Sequence, residues 1–122
     1  MNPSLISSDI KTIIEGNPMA VATVTPEGNP NVIGVAFVKV VDGNKILITD
    51  NFMNQTIKDI THNPRIALVG WNGKMVGYKL LGSAIYYAEG EWVEKAKLIP
   101  ENKGMPVKGV IVVSVEKIIK SS

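Results

Sequence analysis

The stretch NFMNQTIKDITHNPRIAL, from Asn51 to Leu68, decides how the rest of the chain is organised. An apolar strand, Lys45 to Thr49, leads into it, and a second strand, Arg65 to Gly70, leaves it. Between them the pattern predicts a short helix with a polar first turn, Asn54-Gln55-Thr56, and an end at Asn63-Pro64. Backbone N–H groups at a helix start lack intrahelical partners and lie at the positive end of the helix dipole. The stretch therefore predicts either a phosphate site at the helix start or an ordinary capped connector.

The composition limits the kinds of protein that this chain can be. Its 122 residues fit a single domain, residues 1–122, and the absence of cysteine excludes disulfides and thiolate chemistry. One histidine and no clustered carboxylates argue against a metal site. The 13 basic and 11 acidic residues are interspersed and only 6% are aromatic, which argues against a nucleic-acid partner. No apolar run reaches the length of a membrane span and no secretory signal is visible, so we expect a cytoplasmic protein without a membrane partner.

The remaining hydrophobic patterns predict a small antiparallel β-barrel with helices at its ends. Six strands are predicted, at Met19–Thr25, Asn31–Val41, Lys45–Thr49, Arg65–Trp71, Met75–Ala88 and Val107–Val115. Amphipathic helices are predicted at Met1–Glu15 and Glu91–Ile99 in addition to the organising helix. Asp42-Gly43-Asn44 and Asn72-Gly73 predict tight hairpins, and the tail from Glu116 to Ser122 is predicted to fray.

Three of the glycines inside predicted strands, Gly34, Gly77 and Gly82, carry a structural prediction. Gly34 indicates either a plain bulge or a close approach of backbone or ligand. Gly77 and Gly82 are predicted bend points of the longest strand, as expected where a sheet curls into a barrel. The last strand is apolar enough to be buried on both faces or to pack against a second chain.

Candidate catalytic groups are scarce. His62 is the only histidine and has no serine, cysteine or carboxylate constellation near it in the sequence, so we assign no catalytic residue. The chain also lacks a G-x-S-x-G elbow, a P-loop and a G-x-G-x-x-G turn. A barrel with one phosphate-suited helix start and no acid–base groups indicates a bound cofactor that carries the chemistry. Trp71 can stack on a planar ligand or pack in a core or dimer interface.

Three segments, in this order, resemble the FMN-binding split-barrel superfamily, which includes pyridoxamine 5′-phosphate oxidase and small FMN-binding proteins. They are EGNPNVIGVAF at Glu27–Phe37, KILITDN at Lys45–Asn51 and NQTIKDITHNPRIAL at Asn54–Leu68. The GSA segment at Gly82–Ala84 and the apolar last strand are similar too, so the resemblance covers nearly the whole chain. It implies a six-stranded antiparallel split β-barrel with short capping helices. It also implies a homodimer with FMN at the subunit interface.

The resemblance further implies which residues contact FMN. The strand containing Gly34 would run along the flavin ring, and the organising helix would hold the phosphate. The ring contacts would be Ile33, Gly34, Val35 and Ala36; the ribityl or phosphate contacts Thr49, Asp50 and Asn51; and the phosphate contacts Asn54, Gln55 and Thr56. Trp71 completes the set as a residue able to stack on the cofactor. No catalytic residue and no metal ligand is included.

The predicted phosphate site departs from the family pattern. Family members commonly carry Arg or Lys at the positions held here by Gln55 and Thr56. Neutral residues there remove a charge-assisted hydrogen bond, which is the stronger kind. The sequence leaves open whether Lys58, Lys45 or Arg65 takes over that role.

These departures narrow the expected activity. Ile33 stands where pyridoxamine phosphate oxidases have a basic flavin contact, and no substrate-phosphate site can be matched, so vitamin B6 oxidation is not expected. The resemblance implies an FMN-dependent oxidoreductase, flavin reductase-like or oxidase-like, with a small-molecule electron donor and acceptor. The alternatives are a non-catalytic flavin-binding electron carrier, an F420-binding split barrel, and a cofactor-free barrel that binds protein or nucleic acid.

Overall fold

The computed structural model describes residues 5–51 and 53–121, and these residues form one antiparallel sheet with three α-helices. The strands are β1 Met19–Val24, β2 Pro30–Val35, β3 Lys39–Val41, β4 Lys45–Asp50, β5 Arg65–Trp71, β6 Gly77–Tyr87 and β7 Gly109–Ser121. The helices are α1 Ser8–Gly16, α2 Gln55–His62 and α3 Glu91–Lys97, and a short 3₁₀ helix covers Pro100–Asn102. Met1 to Ser4 of the predicted first helix, Phe52 and Ser122 lie outside the described residues.

The sheet closes into a barrel through the chain itself. Its strand order is β2-β1-β5-β6-β7-β4-β3, so β2 and β3, which are neighbours in sequence, lie at opposite edges. Residues 36–38 join those edges and allow at most about 14 Å between the ends of the two strands. A flat sheet of this order would separate its edges by about 29 Å. The sheet must therefore curl, and because no ladder joins β2 to β3 in the described residues, it forms the expected split β-barrel.

The described residues form seven strands rather than the predicted six. The segment Asn31–Val41 is two strands, because β2 pairs with β1 and β3 pairs with β4. The predicted hairpin between β5 and β6 is present, but its two-residue turn at Asn72-Gly73 is wrong: the last pair is Trp71 with Gly77, so the loop covers residues 72–76. The predicted frayed tail is part of β7, since Ser121 still pairs with Gly77 of β6.

Two apolar clusters lie on opposite faces of β4 and β7. The barrel interior holds Ile46 and Ile48 of β4 together with Ile111 and Val113 of β7. Leu47, Val110 and Val112 face the other way and pack beneath Val93 and Ala96 of α3. The first half of β7 is therefore buried on both faces within this chain, which is one of the two alternatives that its sequence allowed.

Helix α1 packs against both β3 and β5. Ser7 caps its start, accepting a hydrogen bond from the Ile10 N–H at 3.3 Å, so the helix begins later than the predicted Met1. Ile14 on its apolar face is fully buried, and Glu15 accepts a hydrogen bond from the Val40 N–H of the edge strand at 2.7 Å. Across residues 5–51 and 53–121, none of the helices combines the length and apolarity needed to cross a membrane.

The three glycines singled out from the sequence differ in the space available for a side chain. At Gly82 the pairing of β6 with β7 shifts register, and a Cβ there would collide with the backbone oxygen of Ser114. Gly77 likewise lies against the backbone of Gly70. At Gly34 the pairing with β1 is regular, and a Cβ would meet nothing within 4 Å. Gly34 is therefore not a bulge, and the space outside it is open.

Candidate functional site

A cavity of about 380 Å³ lies between the end of β2 and the start of α2. Its volume is in the range of small-molecule sites. It is lined by Ile33, Gly34, Val35, Ala36, Phe37, Thr49, Asn51, Met53, Asn54, Gln55 and Thr56. The structure thus brings together every residue predicted for the cofactor site except Asp50 and Trp71. That these residues bind FMN stays a prediction.

One wall of the cavity is the outward face of an edge strand. Among the described residues β2 pairs only with β1, so alternate N–H and C=O groups along its other side have no sheet partner. The side chains of Ile33 and Val35 pack against the barrel core, which leaves Gly34 between them on the exposed face. A planar ligand can therefore approach the backbone of β2 without meeting a side chain at Gly34.

The opposite wall is the first turn of α2. Asn54 occupies the N-cap position, but its side chain makes no capping hydrogen bond. The Asn54 carbonyl accepts from the Lys58 N–H at 3.4 Å, while the N–H groups of the first turn precede any intrahelical acceptor. These groups and the helix dipole suit an anionic group of a ligand.

Behind this turn lies a buried polar network that the sequence analysis did not identify. The Asp59 carboxylate is 0% exposed and accepts hydrogen bonds from the Thr23 hydroxyl at 2.6 Å and the Gln55 amide at 2.8 Å. The side-chain amide of Asn31 donates to Thr23 Oγ1 at 3.2 Å and to Thr56 Oγ1 at 3.4 Å. The four-residue spacing of Gln55 and Asp59 on one helix was a signal for their contact. The link to β1 and β2 has no local signal.

The end of β4 serves two different surfaces. Thr49 lines the cavity, and its hydroxyl accepts from the buried amide of Asn102 at 2.9 Å. Asp50 points to the other side, where it is 1% exposed and accepts from the Met53 N–H at 2.8 Å and the Tyr86 hydroxyl at 2.7 Å. Asp50 therefore stabilises the turn that leads into α2 and does not line the cavity.

Asp50 and Tyr86 line a second, neighbouring groove of about 650 Å³. The cavity and the groove share Met53 and Asn54. The other lining residues of the groove are Ile57, Lys58, Thr61, His62 and Lys108. Lys108, which the sequence analysis missed, donates from Nζ to the Met53 carbonyl at 3.0 Å. Burial and the hydrogen bond to the Asp50 carboxylate raise the pKa of Tyr86 to about 12. The lining of the groove therefore combines apolar side chains, a protonated phenol and the amino groups of two lysines.

The candidate substitutes for the missing phosphate-site cations lie in different places. Lys58 lines the groove beside the cavity. Lys45 begins β4, at the opposite end of the strand from Thr49. Arg65 Nη1 lies 3.0 Å from each Glu116 carboxylate oxygen, and this hydrogen bond, with that of Ser83, lowers the pKa of Glu116. Lys58 is thus the only one of the three that the structure places next to the cavity.

Trp71, the remaining residue of the predicted cofactor site, lies outside this region. Trp71 is 47% exposed and lines a separate cavity of about 480 Å³ with residues of the α1–β1 turn. Its contact with a cofactor stays a prediction. Within the described ranges, no group of three His, Cys, Asp or Glu side chains could hold a metal ion.

Comparison with known sequences gives one family match and one clear relative. Residues 6–121 match the family described as Pyridoxamine 5′-phosphate oxidase. An uncharacterized protein of Methanocaldococcus jannaschii is 34% identical over 117 residues, which make up 93% of this chain and 78% of the relative.

Comparison with solved structures finds the same fold. HupZ of Group A Streptococcus superposes with a TM-score of 0.87 at 28% identity, over 96% of this chain and 94% of that one. An FMN-binding protein of Syntrophomonas wolfei has a TM-score of 0.76 at 14% identity, over 93% and 84% of the two chains. An F420 reductase has a TM-score of 0.74 at 18% identity, over 93% and 98%. The last two likenesses concern the fold alone.

Proposed function

This chain belongs to the pyridoxamine 5′-phosphate oxidase family, and from that premise we propose that it is an FMN-binding oxidoreductase of the flavin reductase or oxidase type. The observation that carries the proposal is the cavity between the open face of β2 at Gly34 and the uncapped start of α2. One wall suits a flat ring and the other suits a phosphate. Bound FMN would supply hydride or electron transfer, and the residues of the chain would bind and orient it.

Each wall has a proposed role. The backbone of Ile33 to Ala36 lies along the flavin ring, and Thr49 and Asn51 face the ribityl chain. Asn54, Gln55, Thr56 and the first-turn N–H groups hold the phosphate. Asp50 acts indirectly, because its carboxylate is occupied by Tyr86 and the Met53 N–H. Trp71 lines a different cavity, so it would reach FMN only across a subunit interface.

We propose that the protein is a homodimer with its cofactor at the interface, in the cytoplasm and without a nucleic-acid partner. The outer face of β2 supports this, since Val32, two residues from Gly34 and on the same face, is 67% exposed. An apolar side chain beside a ligand cavity is the kind of surface that a second subunit covers. The cavity would then be closed on both sides.

The neighbouring groove favours an enzyme over an electron carrier. A carrier needs no second binding site, whereas a reductase must bring a donor next to the cofactor. The groove meets the cavity at Met53 and Asn54, and its rim carries Lys58, His62 and Lys108. A basic rim attracts anionic donors such as nicotinamide dinucleotides.

The same groove supports the second candidate, an F420-binding split barrel. F420 carries a long anionic tail beyond its phosphate, which needs basic surface continuous with the ring site. Lys58 and Lys108 provide such surface next to the cavity. Mass spectrometry of the ligand released from purified protein distinguishes F420 from FMN.

The test of the proposed function is the visible absorption spectrum of purified protein, followed by addition of a nicotinamide donor. We expect a flavin spectrum that bleaches with the donor and returns in air. A colourless protein that takes up no flavin would contradict the proposal. A flavin spectrum that no donor bleaches would favour the non-catalytic electron carrier over the enzyme.

The same preparation tests which strand faces the ring. In Gly34→Val the new side chain enters the open space at β2, so FMN affinity should fall at least about tenfold with little change in thermal stability. Gly73→Val is the matched control, since it also has open space but lies outside the cavity. Unchanged FMN affinity in a folded Gly34→Val variant would exclude β2 as the ring strand.

A further inference from the structure

The buried carboxylate of Asp59 has donors on both of its oxygens and does not line the cofactor cavity. A carboxylate has only acceptors to offer, so the hydroxyl proton of Thr23 must point toward Asp59 Oδ2. This orientation determines the next hydrogen bond of the network.

With its proton committed to Asp59, Thr23 Oγ1 can only accept. Its neighbour at 3.2 Å is therefore the NH₂ group of Asn31 and not the amide oxygen. The same nitrogen donates its second hydrogen to Thr56 Oγ1 at 3.4 Å. Asp59 thus sets the orientation of the Asn31 amide, although the two residues make no direct contact.

Asp59, Thr23, Asn31 and Thr56 thus form a hydrogen-bond relay. Thr56 is its last residue and lines the cavity at the start of α2. It is 2% exposed and accepts from Asn31, and in the described residues its hydroxyl donates to no protein acceptor. Among the described residues, its proton is therefore available to a group in the cavity. Reversing the relay would make Thr56 donate to Asn31 and present a lone pair to the ligand instead.

We infer that Asp59 is a positioning residue that, through Thr23 and Asn31, makes Thr56 a hydrogen-bond donor to the phosphate of a flavin nucleotide. The inference rests on the proposed FMN site. According to this inference, a network that contains no cation makes the site selective for the phosphorylated cofactor. Family members commonly have Arg or Lys at the position of Thr56. A neutral donor of fixed direction is a partial substitute for a charge-assisted one.

The test compares the dissociation constants of FMN and riboflavin, which differ only in the phosphate. Thr56→Val removes the donor at nearly constant shape. Asp59→Asn replaces one of the two acceptor oxygens by an NH₂ group, so the direction of the Thr23 proton is no longer fixed. Each variant should weaken FMN binding about tenfold and leave riboflavin binding within about twofold. The double variant should bind FMN no more weakly than Thr56→Val alone, because both changes remove the same hydrogen bond.

Two further variants keep the result interpretable. Asn31→Ala interrupts the relay on the half-buried edge strand without touching Asp59, so it tests the inference even if Asp59→Asn fails to fold. Thr12→Val is the matched control for Thr56→Val, since its helical hydroxyl bonds only the Ser8 carbonyl, far from the cavity. It should bind both flavins normally.

Four results separate the possible failures. An equal loss of FMN and riboflavin affinity in Asp59→Asn and Asn31→Ala would reduce the network to a structural role. Unchanged FMN affinity in Thr56→Val would show that Thr56 donates nothing to the phosphate. Wild-type protein that binds neither flavin would overturn the proposed function itself, whereas equal affinity for both would overturn the proposed phosphate contacts and the relay but not flavin binding.

Discussion

Neighbouring residues at the end of β4 show how one strand serves both a ligand cavity and the fold. Thr49 faces the cavity between β2 and α2, while the next residue, Asp50, is buried under Tyr86. Successive side chains of a strand point to opposite sides, so the side chains of Thr49 and Asp50 reach different surfaces. The hydrogen bonds of Asp50 instead stabilise the turn that positions α2.

Tyr86 provides a titration that reports on this arrangement. Its pKa is raised from 10.0 to about 12, first by burial and then by its hydrogen bond to Asp50. The folded state favours the protonated phenol, so the stability it contributes is complete below pH 10.0 and is lost as the pH rises toward 12. Ultraviolet difference absorbance should show a late tyrosine step at about pH 12 that belongs to Tyr86.

A matched pair of variants identifies that tyrosine. Tyr86→Phe should remove the late step, and Tyr78→Phe should leave it in place. A late step that persists in folded Tyr86→Phe would show that the hydroxyl is not held by Asp50.

At the scale of the element, the pairing of β6 with both of its neighbours depends on a bend within that strand. It pairs with β5 on one side and with β7 on the other, and the register with β7 shifts between Leu81 and Gly82. The neighbouring strand passes so close at this point that Gly82 has no room for a Cβ. The bend lets one long strand belong to both halves of the barrel wall.

Gly82→Ala should therefore be destabilising. Because the new methyl group would meet the Ser114 backbone, which cannot move away as a flexible side chain could, we expect a loss of about 1–3 kcal/mol in the free energy of unfolding. Urea denaturation measures it. Gly34→Ala is the control, a strand glycine with open space, and should change stability by less than about 0.5 kcal/mol. Similar stability of the two variants would mean that the bend relaxes freely.

At the scale of the whole molecule, barrel closure places both walls of the cavity. Residues 36–38 carry the chain from β2 at one edge of the sheet to β3 at the other, and Ala36 and Phe37 of this crossing line the cavity. The candidate site thus lies at the split of the barrel. An edge strand there has unpaired backbone groups, which a ligand or a second subunit can cover.

The dimer proposed above makes assembly and cofactor binding interdependent. Light scattering after size exclusion should give twice the 13.2 kDa of the chain, and excess FMN should raise the melting temperature by several degrees. Val32→Glu places a charge beside the cavity and should weaken both dimerisation and FMN binding. Met75→Glu, an equally exposed position in the loop of residues 72–76, should affect neither. A monomer that binds FMN tightly would contradict the interface site.

The sequence by itself determined the local elements and much of the candidate site. Helix α2 and its polar start, the strands around it and the hairpin at Asp42-Gly43-Asn44 follow from short-range periodicity and turn chemistry. The residues on either side of the cavity, around Gly34 and Asn54, were named from the resemblance of ordered segments to a known family. The alternation of a strand could also have separated Thr49 from Asp50.

Only the tertiary structure decided which segments meet. It divided Asn31–Val41 into two strands, because after β2 the chain leaves β1 and pairs with β4. It also buried Asp59 against Thr23, 36 residues away, and placed Lys108 next to Met53, 55 residues away. Local patterns reflect backbone preference and amphipathicity, whereas the choice of pairing partner and the burial of a polar group depend on contacts between distant segments, which exist only once the barrel has closed.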